Sequence, residues 1–177
     1  AYTTEVHSFE NGDCFFKQVF NVNEPAFIVR LNQENEGFIV DPEDKILDTL
    51  SRENVEMIRG HEFHMMSVRP DFFFSDVGLA DTDDSDDNLL IGVDRIQNPV
   101  RIHCDRLEKL VSRIEILNPI DTSQVIEIIY NQWQNTDYGD LANNVSIVQA
   151  QKDTFEFDFT YLSISDNTGQ VKVLIEE

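Results

Sequence analysis

Histidine and cysteine offer the widest range of chemistry in this chain, and most of them fall in two short groups. His61 to His64 (HEFH) and His103 to Asp105 (HCD) are the nearest approach to a zinc-binding pattern. A zincin motif needs its two histidines four residues apart on a helix, whereas the spacing here is three. In the strand that the local composition predicts, this spacing directs His61 and His64 to opposite faces. His61, His64 and His103 are therefore candidate metal ligands only, and no cofactor or catalytic residue is predicted.

A run of aspartates is the second group that could bind a cation. Calcium prefers carboxylate oxygens, and a divalent ion relieves the repulsion between close carboxylates. The match to an EF-hand loop fails because Asp86 stands where the tight turn needs glycine and Gly92 where the bidentate glutamate belongs. We expect a solvated acidic loop that contributes to a protein interface through Asp83, Asp84, Asp86 and Asp87.

Aromatic residues supply the other candidates for an interface, namely Phe72, Phe73, Phe74, Trp133 and Tyr138. In an extended chain neighbouring side chains point to opposite faces, so Phe73 points away from Phe72 and Phe74. Each face then needs a cover. A helix of the same chain and a partner protein are both open as that cover.

The charge of the chain indicates which partners it can have. The 177 residues contain 34 Asp and Glu against 13 Lys and Arg, a formal net charge of −21. Such a surface repels nucleic acids and anionic lipids and attracts basic proteins. We expect as partner another protein, a basic one among the alternatives, or copies of the chain itself, and neither nucleic acid nor a membrane. No apolar leader or membrane-spanning run is visible, which favours a cytoplasmic or particle-associated location.

Two helices are predicted from capping patterns. Asp41, Pro42, Glu43 and Asp44 precede spaced apolar residues, which predicts a helix over about 42–52 that extends or restarts through Val55 and Ile58 to Gly60. Asp121 and Gln124 resemble a capping box, and the apolar residues that follow predict a helix over about 122–135. The period of residues 107–117 fits a helix or a strand.

Alternating or short continuous apolar runs predict strands elsewhere, over about 14–22, 26–31, 37–40, 62–68, 72–79, 89–93, 100–104, 145–148, 155–164 and 171–175. The last two are joined by a turn at Asp166 to Gly169. Because the strands do not alternate regularly with helices, the pattern predicts an α+β fold. It would contain a mainly antiparallel sheet, or a two-sheet sandwich, with the two principal helices, in a single domain over residues 1–177.

No nucleotide-binding, hydrolase or thiol redox motif occurs in the sequence. Together with the charge and the many strands, this favours a non-enzymatic interaction or assembly protein, a structural component or adaptor of a larger complex such as a viral or phage particle. One alternative is an acidic inhibitor or immunity-type protein that binds a basic nucleic-acid-binding partner. The other is a metal-dependent hydrolase built on the histidines.

Overall fold

A computed structural model describes residues 3–20, 25–80, 87–118, 120–137, 139–149, 153–165 and 170–176. Strands dominate this described part. They are β1 (Thr3–Phe9), β2 (Cys14–Val19), β3 (Phe27–Leu31), β4 (Gly37–Val40), β5 (Ile46–Thr49), β6 (Ser75–Leu79), β7 (Asp87–Val93), β8 (Pro99–Asp105), β9 (Val111–Leu117), β10 (Val125–Thr136), β11 (Gly139–Gln149), β12 (Asp153–Ser165) and β13 (Gln170–Glu176). The described helices are short: α1 (Arg52–Arg59), α2 (Phe63–Met66) and α3 (Pro70–Phe73).

Hydrogen bonds connect the thirteen strands of the described residues in the order β5-β4-β3-β2-β1-β13-β12-β11-β10-β9-β8-β7-β6. The strand registers that the structure describes are antiparallel, for example between β1 and β13 and between β8 and β9. The predicted α+β class with two principal helices is therefore wrong, because the described residues form a large antiparallel sheet and only short helices.

The chain divides into two compact units. The first unit comprises Ala1–Glu62, Thr136–Tyr138 and Asp158–Glu177, and the second comprises Phe63–Asn135 and Gly139–Phe157. The single domain over residues 1–177 stays a prediction. In the described part of the chain, no helix is long and apolar enough to cross a membrane.

The helix predicted over 42–52 is replaced by a hairpin loop and strand β5. The Asp41 carboxylate accepts hydrogen bonds from the backbone N–H groups of Glu43 (3.1 Å) and Lys45 (2.8 Å). It thus caps a turn with the same chemistry that would cap a helix. Asp44 has a φ of 63°, which no helix can continue through, and Val40 pairs with Ile46 across the loop. A helix does form after β5, over Arg52–Arg59, as predicted for the residues that lead to Gly60, and Ser51 is its N-cap.

The helix predicted over 122–135 is also wrong, because these residues form strand β10. Asp121 binds the N–H of Ser123 (3.1 Å), and the N–H of Asn118 donates to the carbonyl of Gln124 (3.0 Å), which closes a hairpin between β9 and β10. Valine and isoleucine at the start of β10 favour a strand over a helix. In β10 Ile128 and Tyr130 are buried on alternate positions.

The two strands predicted over 62–68 and 72–79 are mostly helical turns. Residues 63–66 form α2 and residues 70–73 form α3, with Pro70 at the start of α3, where its missing N–H costs nothing. Only Ser75–Leu79 of the second run is a strand. The strands predicted from residues 14, 26, 37, 89, 100, 145, 155 and 171 onward are confirmed as β2, β3, β4, β7, β8, β11, β12 and β13.

Candidate ligand-binding site

The strands of the first unit have one face covered by α1 and one face that is not. Along β1, Val6 and Ser8 are buried, whereas Glu5, His7 and Phe9 are half-buried on the opposite face. His7 pairs with Phe15 of β2, and Phe15 pairs with Arg30 of β3. Because paired residues of an antiparallel sheet share a face, His7, Phe15 and Arg30 lie side by side across three strands.

Close packing attaches α1 to the covered face. Val55 and Ile58 of α1 are buried, as is Leu31 of β3. A Cβ atom at Gly37 would lie 2.7 Å from Cγ2 of Val55 and 2.9 Å from Cδ2 of Leu31. Glycine at position 37 therefore allows the helix to approach the sheet closely.

A buried polar cluster follows α1 on the same face. The Arg59 guanidinium forms an ion pair with Glu62 (2.8 Å) and donates to the backbone carbonyls of Gly12 (2.6 Å) and Asn32 (3.0 Å). The Ser8 hydroxyl donates to the other oxygen of Glu62 (2.7 Å). One charged pair thus connects the helix end to the β1–β2 and β3–β4 turns.

Cys14 and Cys104 form no disulfide bond; Cys14 is buried and Cys104 is half-buried. Burial raises the pKa of the Cys14 thiol well above its usual range, and the Glu62 carboxylate acts in the same direction. Both effects favour the neutral thiol, which is less nucleophilic than a thiolate.

A pocket of about 620 Å³ lies in the first unit, mostly on the face opposite α1. Its walls are largely apolar, and the loop at residues 41–45 closes one side. The lining residues are His7, Phe9, Asp13, Cys14, Phe15, Ile28, Arg30, Leu31, Asn32, Val40, Asp41, Pro42 and Asp44. Its volume is within the range of small-molecule sites, and apolar walls with a few polar groups are typical of them.

The polar groups around this pocket are bound to one another. Arg30 forms an ion pair with Asp44 (2.7 Å), and Asp13 accepts from the N–H of Gln33 (3.0 Å). On the adjoining strands, one oxygen of Glu5 contacts both His7 (2.7 Å) and Lys172 (2.7 Å). Burial acts to raise the pKa of Glu5, but the hydrogen bonds from Lys172 and His7 outweigh it and lower that pKa.

The three histidines of the predicted metal cluster have separate environments. The Nδ1 atom of His61 lies 3.0 Å from the carbonyl of Met57, and burial lowers the His61 pKa. His64 is completely buried, and burial lowers its pKa to about 3. His103 lies 3.1 Å from Glu115. Within the residues described, no three His, Cys, Asp or Glu side chains are grouped as a metal site needs.

The predicted interface residues are dispersed. Phe73 and Phe74 are buried, and Phe72 carries the Arg95 guanidinium 4.7 Å from its ring centre. Trp133 packs against Tyr130 at 6.0 Å between ring centres. Asp87 begins β7, whereas Asp83, Asp84, Asp86 and Tyr138 lie outside the described residues. Their role at an interface stays a prediction.

The pocket residues were not identified from the sequence. Phe9, Phe15, Ile28 and Val40 are individually ordinary apolar residues, and only the register of the strands brings them together. The one signal was the alternation of residues 3–9, where His7 and Phe9 share a face.

No protein-family model and no curated protein matches this sequence. Solved structures do resemble the fold. A LolA superfamily protein from Nitrosomonas europaea has a TM-score of 0.50 and 10% identity, with 99% of this chain and 82% of that chain covered. A DUF1329 family protein from Desulfovibrio piger has a TM-score of 0.39 and 10% identity, with 98% and 81% covered. A domain named for outer membrane lipoprotein sorting, from Vibrio parahaemolyticus, has a TM-score of 0.40 and 8% identity, with 99% and 83% covered.

The likeness to the LolA superfamily protein, at a TM-score of 0.50, corrects the function inferred from the sequence. The fold resembles that of a LolA superfamily protein, so the hypothesis of an assembly protein or adaptor of a particle is wrong. The inhibitor and hydrolase alternatives are withdrawn with it. The physical reason is that composition and absent motifs carry no information about a pocket assembled across strands.

Proposed function

We propose that this chain is a carrier that holds the acyl chain of a lipid, or of a lipidated protein, in the pocket of its first unit. The observation that carries the proposal is the pocket itself, about 620 Å³ with mainly apolar walls. The likeness of the fold to a LolA superfamily protein, at a TM-score of 0.50, also supports the proposal.

The chemistry of the pocket suits an acyl chain. Phe9, Phe15 and Ile28 offer apolar surface, and burial of each methylene contributes about 0.8 kcal/mol. The polar lining residues include Arg30, Asp44 and Asp13, which would bind the polar end of an amphiphile. A pocket with mainly apolar walls and a few polar groups is what an amphiphile requires.

A partner that is itself a protein fits the same proposal. A lipidated protein would place its lipid in the pocket and its polypeptide outside it. The location of the chain in the cell stays a prediction, which cell fractionation tests.

A charged residue inside the pocket tests the proposal. The full chain is titrated with an uncharged, environment-sensitive palmitoyl probe, and binding is followed by fluorescence. Phe15→Lys places an ammonium group among the apolar walls, and we expect it to weaken binding at least about tenfold, because desolvating a charge costs more than 1.4 kcal/mol.

Phe20→Lys is the matched control. Phe20 is in the same unit, is 54% exposed and does not line the pocket. We expect this variant to bind the probe like the unaltered chain. Equal binding by both variants, or no saturable binding by the unaltered chain, would contradict the proposal.

A further inference from the structure

The loops beside the pocket are strongly acidic. Residues 10–13, 32–36 and 41–45 carry seven carboxylates and a single basic residue, Lys45. Each of these loops contributes at least one residue to the pocket wall: Asp13, Asn32 and Asp41.

Most of this negative charge has no cationic partner within these loops. Arg30, which also lines the pocket, pairs with Asp44. Seven carboxylates against Arg30 and Lys45 leave five negative charges beside the pocket. Backbone N–H groups bind the Asp13 and Asp41 carboxylates, which orients them without neutralising them.

Part of this charge lies outside the pocket lining. Glu34, Glu36 and Glu43 are exposed and do not line the pocket. Carboxylates outside the pocket attract a chain that continues outside it, within a screening distance of about 8 Å at physiological salt. An anionic lipid headgroup would instead be repelled at this position.

We infer that the ligand is a lipidated polypeptide whose residues next to the lipid are basic. The inference rests on the proposed function, since the pocket must hold the acyl chain. The lipid supplies the apolar contact, and lysine or arginine beside it faces the acidic loops. Charge complementarity of this kind raises the association rate and selects among ligands.

Acylated peptides test this inference on the full chain. Three palmitoyl peptides of equal length carry four lysines, four serines or four glutamates next to the acyl chain, and a fourth peptide carries the lysines without the acyl chain. At low salt we expect the acylated lysine peptide to bind about tenfold tighter than the serine peptide and the glutamate peptide to bind most weakly. Raising the salt concentration should reduce the difference.

The outcomes separate the two proposals. Equal affinities of the three acylated peptides would overturn the inference and leave the carrier function standing. Absence of binding by all acylated peptides would overturn both. Equal binding of the lysine peptide with and without its acyl chain would overturn the inference, because charge alone would then account for binding.

Variants with fewer carboxylates test whether the acidic loops bind the lysine peptide. Glu34→Gln, Glu36→Gln and Glu43→Gln together should weaken binding of the acylated lysine peptide severalfold and leave the serine peptide unchanged. The matched control removes three exposed charges of the second unit, by Asp76→Asn, Glu108→Gln and Asp153→Asn. Equal effects of both triple variants would overturn the inference, since the total charge and not these loops would then matter.

Discussion

Arg59 and Glu62 are an ion pair removed from water, with 2% and 3% of their side chains exposed. Glu62→Gln would leave the Arg59 charge buried without its counter-charge, and we expect a loss of about 3–5 kcal/mol in the free energy of unfolding. Urea denaturation measures it. Asp44→Asn, in the exposed pair with Arg30, should cost no more than about 1 kcal/mol, because water already screens that pair. Similar losses in both variants would contradict this.

His64 makes the stability of the chain depend on pH. Burial lowers its pKa from 6.5 to about 3, so between these values the unfolded chain binds a proton that the folded chain does not. The contribution that neutral, buried His64 makes to stability is fully present above pH 6.5 and is lost as the pH falls towards 3. Between pH 7 and pH 5 we expect the free energy of unfolding to fall by about 2 kcal/mol less in His64→Gln than in the unaltered chain. Urea denaturation at both pH values measures it.

Equal losses in both proteins would contradict the assignment to His64. His61→Gln is a control from the same sequence pattern, because His61 is only partly enclosed and its Nδ1 atom faces the carbonyl of Met57. It should change the pH dependence less than His64→Gln does.

Sequence reasoning predicted candidate site residues from the chemistry of their side chains and not from their surroundings in the fold. It singled out His61 and His64 as candidate ligands, but it could not tell that one is completely buried, because the turn that separates them is set by tertiary packing. It gave no role to Arg59 or Ser8. Arg59 and Glu62 are three residues apart, but the Gly12 carbonyl that Arg59 binds is 47 residues away and Ser8 is 54 residues from Glu62.

The close approach of α1 to the sheet depends on the absence of a side chain at Gly37. A methyl group there would lie 2.7 Å from Val55 and 2.9 Å from Leu31, and both of these side chains are enclosed. We expect Gly37→Ala to lower the free energy of unfolding by about 1–3 kcal/mol, because the helix must move away from the strand. Chemical denaturation measures the change.

Gly78→Ala is the matched control, because no atom lies within 4 Å of the position that its Cβ would occupy. Gly78 is in strand β6, so the change should stay within about 0.5 kcal/mol. A loss at Gly78 as large as that at Gly37 would contradict the role given to helix packing, because the lower entropy of the unfolded alanine variant favours folding at both positions.

For the secondary-structure elements, local sequence patterns predicted most strands correctly. At two turns, however, they predicted the start of a helix. Asp41 and Asp121 each bind backbone N–H groups two residues ahead, and helix caps and hairpin turns use this same contact. The sheet partners of β5 and β10 decided between the two structures. Those partners are properties of the whole sheet, which local spacing does not contain.

The charge of the whole molecule predicts a dependence on salt. A net charge of −21 makes the folded chain repel itself, and this repulsion is weaker in the expanded unfolded chain. We expect the free energy of unfolding to rise by about 1 kcal/mol when sodium chloride is raised from 20 to 200 mM, because the screening length shortens. Denaturation curves at several salt concentrations measure it.

A variant with less charge is the control. Replacing Asp83, Asp84, Asp86 and Asp87 with asparagine removes four negative charges. Its stability should depend less steeply on salt than that of the unaltered chain. A flat or falling dependence in the unaltered chain would contradict the role given to self-repulsion.

The pairing of β1 with β13 has a consequence for synthesis on the ribosome. Thr4 pairs with Ile175 and Phe9 with Gln170, so β1 gains its second neighbour only when β13 has been made. Phe63–Asn135 of the second unit also interrupts the first unit in the sequence. Asp158–Glu177 of the first unit are therefore made only after the second unit. Because His7 of β1 lines the pocket, the growing chain exposes an unfinished apolar surface until translation reaches β13. The sheet that supports the pocket is therefore completed only after residues 170–176 have been made.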